Sequence, residues 1–241
     1  MTLDSFLTPV FWAALGQIVL IDILLGGDNA VVIALASRKL PPLQRRKAII
    51  WGTVGAVALR VVLIFFALTL LRLPFLKIAG ALLLLWIGVK LMQPEEEDHG
   101  GHGAVNAPDR LWSAVKTVIV ADFVMSLDNV IAIAGAAQNA GSDHSRILVI
   151  FGLALSVPII VWGSQLVIQL MARFPVIITL GAMLLGWIAG GLVVTDPLAE
   201  PWTQQTWAKH ATAVAGAVGA VLVWGVGRWM RGHQRQPVVG C

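Results

Sequence analysis

The chain has 241 residues, 58% of them hydrophobic and only 12% charged, with a mean hydropathy of +0.83. Soluble domains carry about 25% charged residues, so this composition leaves no room for a sizeable soluble domain and indicates a polytopic membrane protein. The formal net charge of +4 would point to nucleic acid in a soluble chain. Here the basic residues fall in short loops, where membrane topology explains them and nucleic acid is not an expected partner.

Apolar segments long enough to cross a bilayer, about 20 residues each, predict seven spans at roughly 10–36, 49–71, 74–92, 112–137, 147–171, 175–195 and 208–230. The first lacks a positive n-region and is too long for a signal-peptide core, so it reads as a retained span. Asp22 and Asp28 are its only charges, which places both at membrane depth. Span 2 carries Arg60, whose simplest role is charge partner to one buried Asp. A sharper role is to neutralise an empty acidic site and let go when metal enters. Span 4 carries Asp122 and Asp128, and span 5 carries Gln165 and Gln169 on one face, expected to bridge helices, with lining a cavity as the alternative. Asp196 closes span 6 before Pro197 and is expected as a cap, with an outer exit ligand as the alternative. Breakers such as Pro41-Pro42, Pro74 and Pro175 mark the links. The longer link at about 93–110, with Glu95 to His102, reads as a solvated loop. His144, His210 and His233 occur singly, with no metal-ligand spacing. Cys241 stands alone, so no intrachain disulfide can form.

The acids follow a pattern. Asp22-Ile-Leu-Leu-Gly-Gly-Asp28-Asn29 recurs one hundred residues later as Asp122-Phe-Val-Met-Ser-Leu-Asp128-Asn129. Gly52 likewise matches Gly152, and the Gly80–Trp86 stretch is similar to Gly181–Trp187. The fold class expected is therefore an all-α polytopic membrane protein with seven transmembrane helices. Two inverted three-helix repeats (about 10–92 and 112–195) flank a cytoplasmic loop (about 93–110), and an extra helix (about 208–230) follows. An odd number of spans per repeat makes the copies face opposite ways, an arrangement typical of transporters with a midplane site. Lys and Arg number twelve on one side against four on the other, which puts the N-terminus outside and the C-terminus in the cytoplasm.

A carboxylate in hydrocarbon costs a few kcal/mol by insertion scales, and such residues mark ion pathways. Counted along straight helices from Arg38 and Lys116, Asp28 and Asp128 each lie roughly 15–18 Å from the cytoplasmic edge, near the midplane. They form the expected central metal pair. Asn29 and Asn129 add neutral ligands or fix carboxylates, and Asp22 and Asp122 diverge toward the two access routes. Gly26-Gly27 would loosen the first helix and swing Asp28 inward. The second copy has Ser126-Leu127 there, and the Ser126 hydroxyl could itself supply an oxygen. Hard oxygen ligands without His or Cys suit Mn, Mg or Ca rather than copper or zinc. Met125 reads as a packing residue. Surplus negative charge around a divalent cation favours proton exchange as the coupling.

The two acidic motifs and the seven-span layout resemble the TerC family, in its YjbE-like integral membrane branch, which is similar to the LysE transporter superfamily. The resemblance covers nearly the whole chain. It implies export of manganese or a related divalent cation across the bacterial inner membrane. No permanently bound cofactor is expected, and Mn2+ is the expected transported ion. The other partners are the lipid bilayer and, in an assembly, a second copy as a homodimer. No enzymatic activity is expected. An intramembrane aspartyl protease also needs two membrane Asp residues, but its Tyr-Asp signature is impossible in a chain without Tyr. A non-transporting scaffold that supplies metal to a partner, and a channel, are the remaining alternatives.

Overall fold

The computed structural model describes residues 9–70, 73–93, 107–138, 145–199 and 210–234. Among them are seven α-helices and no strand: α1 (Pro9–Ser37), α2 (Pro42–Leu70), α3 (Leu76–Met92), α4 (Ala107–Gln138), α5 (Ser145–Arg173), α6 (Val176–Val194) and α7 (Ala211–Gln234). Each predicted apolar segment has its helix. The main boundary difference is α2, which starts seven residues early. Pro42 occupies its first position, where the missing N–H is not needed, and the Arg45 N–H bonds the Pro41 carbonyl at 2.8 Å. The charged turn Arg45-Arg46-Lys47 thus belongs to a helix rather than a loop.

By length and composition, Pro42–Phe66, Val149–Arg173, Val176–Val194 and Ala211–Gly232 can each cross a bilayer. A fifth span is α1, if Phe11–Leu24 and Gly26–Ser37 count together across a bend of 47°. Seven crossings are therefore not reached on these grounds, and four or five are. At 17 residues, α3 rises about 25 Å, short of a core about 30 Å thick. In α4 the apolar run is interrupted by Lys116, Asp122 and Asp128. The bend in α1 falls between Leu24 and Gly26, immediately before the Gly26-Gly27 pair where loosening was expected.

The chain divides into two compact units. The first, Met1–Arg72 with Leu111–Gln169, holds α1, α2 and most of α4 and α5. Its core includes Phe11, Leu15, Ile18, Ile133, Val149 and Leu153, and a second cluster of Ile33, Ile49, Val118 and Ile160. Two contacts in it correspond at the hundred-residue offset. Gly52 of α2 backs onto Val118 of α4, and Gly152 of α5 backs onto Ile18 of α1. Met125 is buried, in keeping with a packing role.

The second unit, Leu73–Arg110 with Leu170–Cys241, holds α3, α6 and α7. Here α6 and α7 meet backbone to backbone. A Cβ on Gly186 would strike Gly219, and one on Gly190 would strike the Ala215 carbonyl. Such small-residue seams let helices approach closely where no hydrophobic effect drives them together. Phe75, just before α3, has a left-handed backbone (φ 67°), which a bulky residue rarely adopts. Asp196 holds that turn. Its Oδ1 accepts from Phe75 N at 3.3 Å and from Leu198 N at 3.0 Å, and its Oδ2 from Ile78 N at 3.4 Å. Asp196 is thus a cap, as expected, but mainly of α3 rather than of the helix it follows.

Candidate functional site: a buried carboxylate pair on one guanidinium

Asp22 of α1, Arg60 of α2 and Asp122 of α4 are all buried in the first unit, with Ser126 and Ser156. The Arg60 guanidinium spans both acids. One terminal nitrogen (Nη1) pairs with Asp22 Oδ1, and the other (Nη2) donates to Asp122 Oδ1 at 2.6 Å. The third Arg60 nitrogen (Nε) donates to Ser126 Oγ at 2.9 Å, and the Ser126 hydroxyl donates to Asp122 Oδ2 at 3.0 Å. The Ser156 hydroxyl of α5 donates to Asp22 Oδ2. The planar fork of arginine suits this task, because its donors reach two carboxylates and a hydroxyl without rearrangement. All four helices of the unit contribute to the cluster.

This arrangement corrects two sequence expectations. Asp22 and Asp122 do not diverge toward opposite access routes, since one side chain holds both. The depth count assumed straight helices and edges at Arg38 and Lys116. In fact α1 bends by 47°, and α4 begins nine residues before Lys116. Arg60 also partners two acids rather than one, because α1 and α4 both present a carboxylate to the same buried guanidinium, whose two terminal nitrogens each reach one.

Asp28 and Asn29 follow the bend in α1. Asn29 is buried, and neither Nδ2 nor Oδ1 finds a hydrogen-bond partner among the described residues; the same holds for the buried Oδ1 of half-buried Asp28. A buried polar atom left unpaired costs about 1–3 kcal/mol, so three adjoining ones mark a place kept for something other than stability. Gly26 lies between this pair and the ion cluster. A Cβ there would lie 3.4 Å from Asn29 Nδ2, 3.8 Å from Arg60 Nη1 and 3.9 Å from Asp22 Oδ1. Asn29 and Asp122 also line one small cavity of about 10 Å³, with Val32, Ile33 and Val118. That is on the order of one water-sized sphere. Asp28 lies within the electrostatic reach of Asp122 and Arg60.

The Asp128 side chain lies outside the described residues, so the expected Asp28/Asp128 pair is not addressed. Asn129 is partly exposed and has an interaction of its own. Among the described residues, no three carboxylate, imidazole or thiol groups converge as metal ligands. A guanidinium stands between the carboxylates instead. Glu95–His102 and His144 also lie outside the described residues. Gln165 and Gln169 line an open cavity with Arg45 and Arg46, where bridging between helices was expected. Sequence reasoning missed Ser156. The available signal was a hydroxyl in the middle of an apolar helix, four residues from Gly152 and on the same face.

A helical chain with exposed apolar faces and a carboxylate–guanidinium cluster buried among its helices is a multi-pass integral membrane protein. Over residues 7–232 it matches the integral membrane protein TerC family, and it belongs to that family. It is 46% identical over 180 residues to the membrane protein YjbE of Bacillus subtilis (strain 168), covering 74% of this chain and 78% of that one. The membrane protein YceF of the same organism is 29% identical over 187 residues, covering 75% and 70% respectively. The UPF0053 inner membrane protein YoaE of Escherichia coli (strain K12) is 33% identical over 151 residues, which are 55% of this chain but 29% of YoaE. No solved structure matches the chain.

Proposed function

We propose that this protein is a transporter that exports a divalent metal cation, manganese in the first instance, across the bacterial inner membrane. The observation that carries the reading is Arg60 shared between Asp22 and Asp122, one acid from each motif copy, beside the unpartnered atoms of Asp28 and Asn29. Charge supports it. With all three ionised, Asp22, Asp28 and Asp122 less Arg60 leave two negative charges, which one divalent cation balances. Asp128 would add a third, which a proton can neutralise when metal leaves, and this supports proton exchange. Carboxylate, amide and hydroxyl oxygens favour a hard cation over copper or zinc. Arg60 then acts as a resident counter-ion that holds the acids together between transport cycles and gives way to the metal.

The architecture supports alternating access by two inverted three-helix repeats. The first two helices of each half share one unit and the third helices share the other with α7, while Gly52–Val118 and Gly152–Ile18 are equivalent contacts. Seven crossings, with the N-terminus outside, remain the topology this reading requires.

The test is uptake of Mn, Mg, Ca and Zn into everted vesicles with and without an imposed pH gradient. Wild type should accumulate manganese in a saturable, gradient-dependent way, and Asp22→Asn, Asp28→Asn, Asp122→Asn and Asp128→Asn should each lower the rate. Uptake unchanged in all four variants would leave the scaffold reading. Flux that neither saturates nor follows the pH gradient would leave a channel.

A further inference from the structure

The cavity between the start of α2 and the end of α5 stands apart from the buried ion cluster, and the transport reading makes no use of it. It has a volume of about 230 Å³. Arg45 and Arg46 approach it from the first turns of α2, and Gln165 and Gln169 from the last turns of α5. Ile49 and Ile168 supply its apolar walls, and no carboxylate among the described residues lines it. Among the described residues the cavity is lined by two positive charges and two amides, with no acid beside them.

Arg45 is held in place within it. One terminal nitrogen (Nη2) donates to the Arg38 carbonyl at 2.9 Å, which anchors one corner of the guanidinium. Its Nε is buried and has no hydrogen-bond partner among the described residues. A guanidinium lining such a cavity is suited to phosphate through its terminal nitrogens, since phosphate oxygens accept from such forks in pairs. The outer surfaces of the same two helices are apolar and exposed at Leu43, Ile50, Trp51, Trp162 and Leu166. A free anion would have no use for that surface, whereas a ligand with acyl chains would lie along it. Basic pockets between helices at a membrane surface bind anionic headgroups on these grounds.

We propose that this cavity binds the phosphodiester headgroup of an anionic phospholipid, with Arg45 and Arg46 on the phosphate and Gln165 and Gln169 on its free oxygens or glycerol. The proposal does not depend on the transport reading. The test is thermal unfolding of the purified full-length protein in detergent, followed by tryptophan fluorescence. Phosphatidylglycerol, phosphatidylcholine and inorganic phosphate are titrated separately. Phosphatidylglycerol should raise the melting temperature by roughly 5 °C at saturation, and the other two should not.

Arg45→Gln/Arg46→Gln should raise the half-saturating lipid concentration by about tenfold or more, in line with loss of charge-assisted phosphate contacts. Lys47→Gln/Arg228→Gln removes the same charge without touching the cavity lining and should leave that concentration unchanged. If the arginine variant does not fold, Gln165→Leu/Gln169→Leu serves in its place, with a several-fold weakening expected. Equal stabilisation by phosphatidylcholine, a full shift with inorganic phosphate, or undiminished lipid response in the cavity variants would each overturn the proposal.

Discussion

Replacing Arg60 with Met removes the one cation between Asp22 and Asp122 while keeping an unbranched side chain of similar length. Arg60 makes two contacts to carboxylates and one to the Ser126 hydroxyl, and hydrogen bonds to charged groups contribute about 1.5–3 kcal/mol each before desolvation is counted. Withdrawing the desolvation cost of the guanidinium reduces that sum, but the variant leaves two buried carboxylates facing each other. Breaking a buried pair from one side costs about 3–5 kcal/mol, and this is the range expected at neutral pH. At roughly 2–4 °C per kcal/mol for a chain near this size, the melting temperature should fall by about 6–20 °C. Asp122→Asn should cost less, because Arg60 keeps Asp22 and the cluster loses its surplus charge. The triple variant Arg60→Met/Asp22→Asn/Asp122→Asn should recover much of the loss, since no buried charge is left unpaired. Manganese should stabilise Arg60→Met more than wild type, because it meets no competing guanidinium. The assay is tryptophan-monitored melting in detergent, with and without metal. An Arg60→Met protein that melts within about 2 °C of wild type would refute the energetic reasoning.

Asn29→Leu separates function from stability. Removing two unpartnered buried amide atoms should raise stability by about 1–3 kcal/mol in thermal melts, while vesicle uptake of manganese falls; a loss of both would make Asn29 structural. Gly190→Val forces a side chain into the Ala215 backbone and should destabilise by at least 1–3 kcal/mol. Gly225→Ala, with nothing near its Cβ, should be neutral or stabilising by up to about 1 kcal/mol on the same instrument. Asp196→Ala should lose about 0.5–2 kcal/mol as α3 loses its cap, with metal uptake per folded molecule unchanged. Phe75→Gly relieves a left-handed backbone and should stabilise by about 1 kcal/mol, read as a rise in melting temperature.

The helices were legible because each is a long apolar run closed by proline or charge, and hydrophobicity alone is enough to find such segments. The acids stood out for the opposite reason, as polar groups where none is cheap. Their meeting was not legible. Whether Arg60 faces one acid or two depends on how α1, α2 and α4 are rotated about their axes, and a bend at Gly26 changes that rotation without changing the sequence spacing. The count from Lys116 took a basic residue for a helix end, whereas α4 begins nine residues earlier, at Ala107. Ser156 went unnoticed because a serine in an apolar helix is ordinarily satisfied by its own backbone, and here it also meets Asp22.

The two motif copies also meet unequal surroundings, and the sequence offset says where. Arg60 corresponds to Ile160, Ser156 to Ala56 and Ser126 to Gly26, so the second half supplies no second guanidinium. Asp22 takes its hydroxyl from another helix, α5, whereas Asp122 takes one from its own helix, four residues on. A cluster built this way cannot be symmetric even if the backbone is. One acid can part from Arg60 while keeping a hydroxyl, and which acid parts first need not be the same from the two sides of the membrane. On the transport reading, a single arginine among paired acids would give the site a direction. This is why exchanging Arg60 and Ile160 (Arg60→Ile/Ile160→Arg) is the sharpest test of the reading. The swap should return much of the stability lost in Arg60→Ile alone, while altering the ratio of manganese uptake rates in everted and right-side-out vesicles. An unchanged ratio in a folded swap variant would mean that the position of the arginine plays no part in direction.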